Sequence, residues 1–325
     1  MEKETMMTTR RDMIKLMASA GLIATTTPFA FAKAPFSSIA NAGYYRFRFG
    51  SFEVTALSDG TLPLPMGTIY QDAPEAHLNE ILDNNLLGRE PHISINAYLL
   101  NDSNRLILVD AGTGSLFGPA AGKLIANLKK SGYAPEQVDA VILTHIHADH
   151  SGGLTVDGVA QFPNADVMVP DREYTYWIDK LYVGHVVAGK EGEFAQAEAA
   201  LRPYIESGRV KHFGPNEAPL PGFGSILRAG HTPGHSSIFV RNEDGEKFVI
   251  WGDIIHGDYV QFDEPDIYVT FDVDGAEAVK TREIALQEAA DERYLVAGAH
   301  LPFPGIGYVT RDSTLYRWVR QNYVE

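Results

Sequence analysis

Residues 144–153 read THIHADHSGG and place three imidazoles and one carboxylate within six positions, directly after a short apolar run. His145 and His147 are two positions apart, so on an extended backbone their side chains point the same way and can share one ion. Asp149 and His150 follow the turn and can reach a second ion beside the first. Because imidazole and carboxylate ligands suit a divalent metal of borderline softness, this stretch predicts a metal site at the end of a buried strand.

The composition of the chain limits the chemistry further. Its 325 residues include no cysteine, which excludes disulfides, thiolate nucleophiles and cysteine-bound zinc or iron–sulfur clusters. The formal charge of −15, from 42 acidic and 27 basic residues, argues against nucleic acid as a partner. No apolar run after residue 40 approaches the roughly 20 residues that cross a bilayer, so we expect no membrane span in the mature chain.

The N-terminus resembles a twin-arginine export signal. Arg10 and Arg11 precede a modestly apolar stretch over residues 13–31, and Ala30 and Ala32 form an A-x-A cleavage pattern. We therefore expect residues 1–32 to be an export signal, residues 33–325 to be the mature domain, and the protein to be periplasmic or secreted. The alternative is a short amphipathic helix of the folded domain.

The rest of the chain alternates groups of strands with helices. A hairpin is predicted near residues 45–57, and a second strand pair at 93–100 and 105–109. Without a strict βαβ rhythm, this order indicates a layered α/β sandwich. The remaining predicted helices cover about 120–130, 171–181, 191–205 and 276–290, and the remaining strands cover 138–143, 226–228, 236–241, 247–251 and 294–297.

The pattern H-x-H-x-D-H at residues 145–150 is the signature of the metallo-β-lactamase superfamily, and three later segments resemble its other motifs. They are GHTPGH around His231, WGD ending at Asp253, and AHLP around His300. The resemblance implies an α/β fold of four layers, an αβ/βα sandwich in a single domain.

The resemblance also implies two divalent ions per chain, with zinc as the first expectation and manganese, iron or cobalt as alternatives. Asp253 would contact both ions. The implied ligands are His145, His147, His231 and Asp253 for one ion, and Asp149, His150, His300 and Asp253 for the other.

Three further polar residues are expected to support these ligands. Asp59 and Asp110 resemble the carboxylates with which the superfamily orients its ligating imidazoles. Asp59 precedes Gly60, so it could equally be a turn residue. His235 is expected to bond nearby backbone or to steady the loop of His231.

Two ions about 3.5–4 Å apart can hold a shared hydroxide at neutral pH, which predicts hydrolysis. Asp253 would hold the two ions together, and Asp149 would accept or pass on a proton. The sequence is most similar to the methyl parathion hydrolase-like branch and its lactonase and arylesterase relatives, at residues 252–263 and 298–308. This implies a small-molecule ester, lactone or phosphotriester as substrate, and it suggests a homodimer.

We expect lactones or aryl esters as the main substrates and phosphotriesters as secondary ones. One alternative is that organophosphate triesters are the main substrates. An alternative of another class is a metal-binding relic without catalysis.

Four residues are candidates for the substrate pocket. His256 is expected on the cavity rim, and Phe271 is expected to line the same pocket, which together predict a narrow, polar cavity. Trp177 and Phe194, on two predicted helices, are further candidates. For all four, ordinary packing is the alternative.

Overall fold

The computed structural model describes residues 36–179, 190–313 and 315–324. The chain divides into two compact units, Met1–Asn41 and Ala42–Glu325. Residues 36–41 of the first unit form no helix or strand, and the predicted export signal lies outside the described residues. No helix in the described part of the chain is long and apolar enough to cross a membrane.

Most strands of the second unit belong to two large β-sheets. The first sheet, in spatial order β1-β2-β4-β5-β6-β9-β10, becomes parallel from β5 onward. The second sheet, in spatial order β11-β12-β13-β15-β16-β17, has one parallel pair, β13 with β15. The first sheet comprises β1 (Tyr44–Phe49), β2 (Phe52–Pro63), β4 (His92–Asn101), β5 (Leu106–Val109), β6 (Ala140–Ile142), β9 (Asp166–Pro170) and β10 (Val210–Phe213). The second comprises β11 (Phe223–Leu227), β12 (Ser236–Arg241), β13 (Lys247–Ile250), β15 (Leu295–Ala297), β16 (Ile306–Asp312) and β17 (Leu315–Arg320).

The described residues also form two small ladders, seven α-helices and three short 3-10 helices. The ladders pair β3 (Tyr70–Gln71) with β14 (Tyr268–Val269), and β7 (Thr155–Val156) with β8 (Val159–Ala160). The helices are α1 (Met66–Ile69), α2 (Glu75–Asn84), α3 (Leu124–Lys130), α4 (Ala148–Ser151), α5 (Asp171–Trp177), α6 (Glu191–Glu206) and α7 (Gly275–Glu292).

The apolar residues separate into layers that define the sandwich. One cluster, which includes Val54, Ile142 and Phe248, fills the space between the two sheets. A second cluster covers the outer face of the first sheet with α3, α5 and α6, and a third covers the outer face of the second sheet with α7. Because a sheet with helices on one face and a second sheet on the other buries both faces, the arrangement is the expected four-layer αβ/βα sandwich.

The structure adds strands and shortens helices relative to the sequence predictions. The hairpin of β16 and β17, helix α2, and strands β9 and β10 are not among the predicted elements. The helix predicted near residue 120 begins at Leu124, because Gly122 has a φ of +73° and its amide donates to Asp59 instead of entering a helix. Helix α5 ends at Trp177 rather than near residue 181.

The carboxyl ends of strands from both sheets meet at one edge of the sandwich. The loop carrying His145 follows β6, Asp253 follows β13, and His300 follows β15. Ligands from segments far apart in sequence therefore converge at this edge, as active sites of α/β sheets commonly do.

Candidate metal centre

The loop after β6 presents the first ligands. His147 occupies the N-cap position of the four-residue helix α4, so the chain turns sharply between His147 and Asp149. The loop is anchored at Thr144, whose amide donates to Asp110 over 2.8 Å. As a result, His145 and His147 stand on one side of the turn and His150 on the other.

One group of ligands consists of three imidazoles and a carboxylate. The His145 Nε2 atom lies 3.1 Å from His147 Nδ1, which lies 2.9 Å from His231 Nε2. Asp253 Oδ2 lies 3.2 Å from His231 Nε2. These four residues offer ligand atoms that all lie within 4.8 Å of one another, as the sequence predicts for the first ion.

The second group shares Asp253 with the first. The His150 Nε2 atom lies 3.0 Å from Asp253 Oδ1, and His300 Nε2 lies 3.1 Å from Asp253 Oδ2. Asp149 Oδ2 lies 3.4 Å from both of these nitrogens. All seven predicted ligands are thus gathered into the two predicted sets, with Asp253 between them.

The donor set fits divalent metal ions. Imidazole nitrogens face one another at about 3 Å, a spacing that suits nitrogens sharing one ion at about 2.0–2.1 Å each. His150 Nε2 and Asp253 Oδ1 are buried, and although they lie 3.0 Å apart, neither makes a hydrogen bond of acceptable geometry. Buried polar atoms are costly when unpaired, and metal coordination would satisfy both of them.

The opposite ring nitrogens of the histidines are held by the surrounding protein. Asp110 Oδ2 accepts from His150 Nδ1 over 2.9 Å, as predicted, and Asp272 Oδ1 accepts from His231 Nδ1 over 2.8 Å. The carbonyl oxygen of Ser94 accepts from His300 Nδ1 over 2.9 Å. Such contacts fix the tautomer and orientation of ligating imidazoles.

His235 contacts backbone on both sides of its ring. Its Nδ1 donates to the carbonyl oxygen of Arg228 over 3.0 Å, and its Nε2 accepts from the amide of Asp253 over 2.9 Å. Burial, followed by the positive charge of His231, lowers the pKa of His235 to about 3. A neutral His235 therefore holds Asp253 in place from behind.

Burial and neighbouring charges shift the pKa values of the clustered histidines in opposite directions. Burial, together with neighbouring histidines, lowers the pKa of His145 and His147 well below 6.5. Burial also acts to lower the pKa of His231, but Asp253 and Asp272 raise it to about 9. His145 and His147 are therefore neutral, which is the form that binds metal, whereas His231 has to release a proton to bind one.

A cavity of about 270 Å³ opens above the two ligand groups. Phe271, which is 40% exposed, lines it as predicted. His256 was expected on the rim; instead it is buried inside, with Nε2 lying 3.3 Å from Asp253 Oδ2. Its ring centroid lies 6.4 Å from that of Phe271, so the two side chains form one wall.

The structure corrects two pocket predictions. Within the described residues, the cavity lining includes neither Trp177 nor Phe194. Both side chains are buried in the core, where their ring centroids lie 4.7 Å apart. Trp177 still affects the site, because its ring packs behind His147 at 5.4 Å between centroids.

The expected role of Asp59 is also corrected. Its carboxylate accepts from the backbone amides of Thr113, Gly122 and Leu124 and from the Thr113 hydroxyl. Asp59 therefore holds the loop that leads into α3 instead of orienting a ligating imidazole. A buried carboxylate among backbone amides is a common way to stabilise such a loop.

Several residues around the site lie outside the sequence predictions. Asp272 supports His231, and Glu173 accepts backbone hydrogen bonds from two ligand loops. Neither stands in a motif, because each meets its partner only through the fold. Other residues that line the cavity and were not predicted are Phe117, Ile146, Ala148, Glu193 and Gln196.

A four-layer αβ/βα sandwich with two His/Asp ligand groups joined by one aspartate is suited to binding two metal ions. The sequence model of the metallo-beta-lactamase superfamily matches residues 92–300. The chain belongs to the metallo-beta-lactamase superfamily.

Solved structures with the same fold include two hydrolases. The hydrolase AbOPH is 37% identical, with a TM-score of 0.84, over 88% of this chain and 100% of its own. AidC, a dizinc quorum-quenching lactonase in complex with a product, is 24% identical, with a TM-score of 0.79, over 87% of this chain and 99% of its own. These similarities favour an enzyme over a non-catalytic metal-binding relic.

The curated relatives match a shorter part of the chain. An N-acyl homoserine lactonase of Bacillus thuringiensis is 29% identical over 121 residues, which are 37% of this chain and 40% of the relative. The chain spans 37–40% of the length of the first curated relatives that it matches.

Proposed function

We propose that the protein opens lactones or cleaves aryl esters, with phosphotriester hydrolysis as a secondary activity. The cavity wall formed by His256 and Phe271 carries this proposal. We infer that these two ring side chains narrow the cavity beside the ligand groups to a slot, which suits a flat ester or lactone carbonyl better than a tetrahedral phosphotriester. The fold shared with the lactonase AidC supports the same substrate class.

The residues at the floor of the cavity suit ester hydrolysis. Two divalent ions bound by the ligand groups would supply Lewis acidity and lower the pKa of water. Asp149 lines the cavity, and its side chain, 21% exposed, is the more accessible of the two carboxylates in the second ligand group. Burial opposes ionisation, but His150 and His300 lower the pKa of Asp149, so it stands ionised, the form that can bind a metal ion.

His256 offers a polar contact to the substrate. Both of its ring nitrogens are buried without a hydrogen-bond partner. Burial lowers the pKa of His256 below 6.5, although Asp253 opposes this shift. A neutral imidazole in the cavity wall can donate a hydrogen bond to an ester or leaving-group oxygen, which would satisfy one of its unpaired nitrogens.

We further propose that the two ions are zinc, with manganese, iron and cobalt as alternatives. The donor set of imidazoles and carboxylates is compatible with each of these metals. Elemental analysis of protein purified without added metal tests this, with two equivalents of zinc per chain expected. Another metal in stoichiometric amount would overturn the assignment to zinc.

We also propose that a twin-arginine signal exports the protein and that the protein forms a homodimer. Arg10 and Arg11 motivate the first, and the family resemblance motivates the second. A reporter fused behind residues 1–40 should lose export when both arginines become lysine. Undiminished export would contradict this signal, and a monomer in light scattering would contradict the dimer.

A substrate panel tests the proposed activity. We expect kcat/KM to be highest on a lactone or an aryl acetate and at least about tenfold lower on a paraoxon-type triester, a gap of about 1.4 kcal/mol in transition-state binding. Dominance of the triester would instead favour organophosphate hydrolysis as the main activity. Phe271→Ala should raise the ratio of triester to lactone hydrolysis, since it widens the slot.

Asp253→Ala serves as the control for this panel. The substitution removes the carboxylate shared by both ligand groups, and loss of at least about a hundredfold in kcat/KM is expected. Unchanged hydrolysis would show that the activity belongs to a contaminant.

A further inference from the structure

Glu173, on helix α5, is a fully buried acidic residue with 0% exposure. Glutamate is almost never fully buried unless its carboxylate is paired. Among the described residues, no Lys or Arg forms an ion pair with it; its partners are instead three N–H donors. Burying an ionisable side chain costs free energy, so we expect Glu173 to have a structural or functional role.

The donors to Glu173 come from two different ligand loops. Its Oε2 atom accepts from the amide of Ile146 over 3.1 Å and from Trp177 Nε1 over 2.9 Å. Its Oε1 atom accepts from the amide of Gly234 over 2.7 Å. Ile146 stands between His145 and His147, and Gly234 follows His231 by three positions. One carboxylate thus joins the loops that carry all three imidazoles of the first ligand group.

Close packing makes this link rigid. A Cβ atom on Gly234 would lie 2.5 Å from the backbone nitrogen of Glu173 and 2.8 Å from Arg172 Cβ, so the His231 loop lies directly on α5. On the other side, the Trp177 ring packs against His147. A shift of either loop would therefore break a hydrogen bond of Glu173 or create a steric clash.

We propose that Glu173 is a positioning residue that sets the spacing of His145, His147 and His231, and so the metal affinity of this half of the centre alone. The inference rests on the dinuclear centre of the proposed function. The other half has supports that do not involve Glu173, since Asp110 contacts His150 and the Ser94 carbonyl contacts His300. Disturbing Glu173 should accordingly weaken one ion site and spare the other.

Glu173→Gln is the sharpest substitution, because glutamine has nearly the same shape. Its amide NH2 must face an N–H donor, so the variant loses the hydrogen bond to Gly234 or those to Ile146 and Trp177. Loss of a partner that orients ligands typically costs 10–100-fold in metal affinity. We expect a loss of this size at one ion site and less than about threefold at the other.

The test is titration of the metal-free full-length protein with Co²⁺, followed by ligand-field absorption and calorimetry. Wild type should bind two equivalents. Glu173→Gln should bind one equivalent normally and the other 10–100-fold more weakly. His300→Ala is the control for the opposite site, since it removes a ligand that belongs to the second group alone and should weaken that site.

A His147→Ala background identifies the sites. With the first ligand group broken, a single equivalent should bind, and adding Glu173→Gln should leave its affinity unchanged, whereas adding His300→Ala should weaken it. Two unchanged affinities in Glu173→Gln, or equal weakening of both, would overturn the inference. Failure of wild type to bind two equivalents would instead overturn the dinuclear centre itself.

Folding is monitored by circular dichroism of each metal-free variant. Should Glu173→Gln not fold, Trp177→Phe removes the indole donor to Glu173 and keeps an aromatic ring beside His147. A weakening confined to the same site would then support the inference, and wild-type affinities at both sites would refute it.

Discussion

The candidate ligands at positions 145–150 are predicted by their local spacing. The residues that hold ligating side chains in place depend on contacts across the fold. The run of His145, His147, Asp149 and His150 is short enough that geometry alone predicts a metal site from the sequence. Asp272 reaches His231 from 41 positions away, and no spacing rule connects the two. The sequence therefore predicts which side chains form the first part of the candidate centre, but it does not predict that Asp272 contacts His231.

His235 provides a prediction at the scale of one residue. Since burial holds its folded pKa near 3, below the ordinary value of 6.5, the ring should stay neutral from pH 4 to 8 in the folded protein. NMR of its ring nitrogens should show no titration in this range. A titration midpoint near pH 6 would contradict the burial argument.

The same shift has a consequence for stability. In unfolded chains His235 takes up a proton near pH 6.5, whereas in the folded chain it does so only near pH 3. Its contribution to stability is therefore complete above pH 6.5 and is lost as the pH falls from 6.5 towards 3. Urea denaturation should show a difference in the free energy of unfolding between wild type and His235→Gln at pH 7.5, and this difference should be smaller at pH 5.

Single elements position the site as whole units. Asp274 is the N-cap residue of helix α7, and its side chain accepts a hydrogen bond from the amide of Glu277 over 3.0 Å. Farther along the helix, the buried Arg282 donates to the carbonyl oxygens of Ile254, Pro265 and Ile267. Because Ile254 follows Asp253, the helix braces the loop of the shared aspartate.

The apolar pattern indicates that helix α7 exists but not what Arg282 does. A charged residue on a helix is normally read as solvent-facing, whereas Arg282 is 1% exposed. Its partners lie 15–28 positions away in loops without regular structure. Such contacts depend on how the loops pack, which local propensity does not specify.

Arg282→Met tests the bracing role of the helix. It removes the arginine donor from the carbonyl oxygens of Ile254 and Pro265 and one of the two donors to that of Ile267. It also leaves Asp272, 3.6 Å away, without a compensating charge. We expect a loss of about 3–5 kcal/mol in the free energy of unfolding, measured by urea denaturation. Lys280→Met on the exposed face of the same helix should cost less than about 0.5 kcal/mol; equal losses in the two variants would contradict the argument.

At the scale of the whole molecule, the two sheets and their outer helices carry ligands from distant segments to one edge. The metal-free centre concentrates buried imidazoles and carboxylates whose atoms lack partners. Binding to the folded state alone stabilises that state by mass action. The fold and its metals should therefore be thermodynamically linked.

Metal removal should lower the melting temperature markedly. At about 1,000 times Kd, each ion contributes about 4 kcal/mol, and each kcal/mol shifts Tm by roughly 2–4 °C for a large domain. We expect a drop of at least roughly 10 °C on chelation, measured by calorimetry and reversed by added Zn²⁺. Asp253→Ala should show a much smaller drop; an equal one would place the stabilising metal elsewhere.

The sequence by itself indicated the layered α/β architecture and the family, and through the family resemblance the two groups of candidate ligands, because each is carried by a short motif or a local period of apolar residues. The tertiary structure alone decided which aromatic side chains face substrate. Trp177 and Phe194 are buried in the core, while His256 and Phe271 form the cavity wall. Only the tertiary structure brought Glu173 to Gly234, 61 positions away. The physical reason is that the periodicity of a helical sequence indicates which side chains face the core. The packing of neighbouring layers then decides which residues those side chains contact.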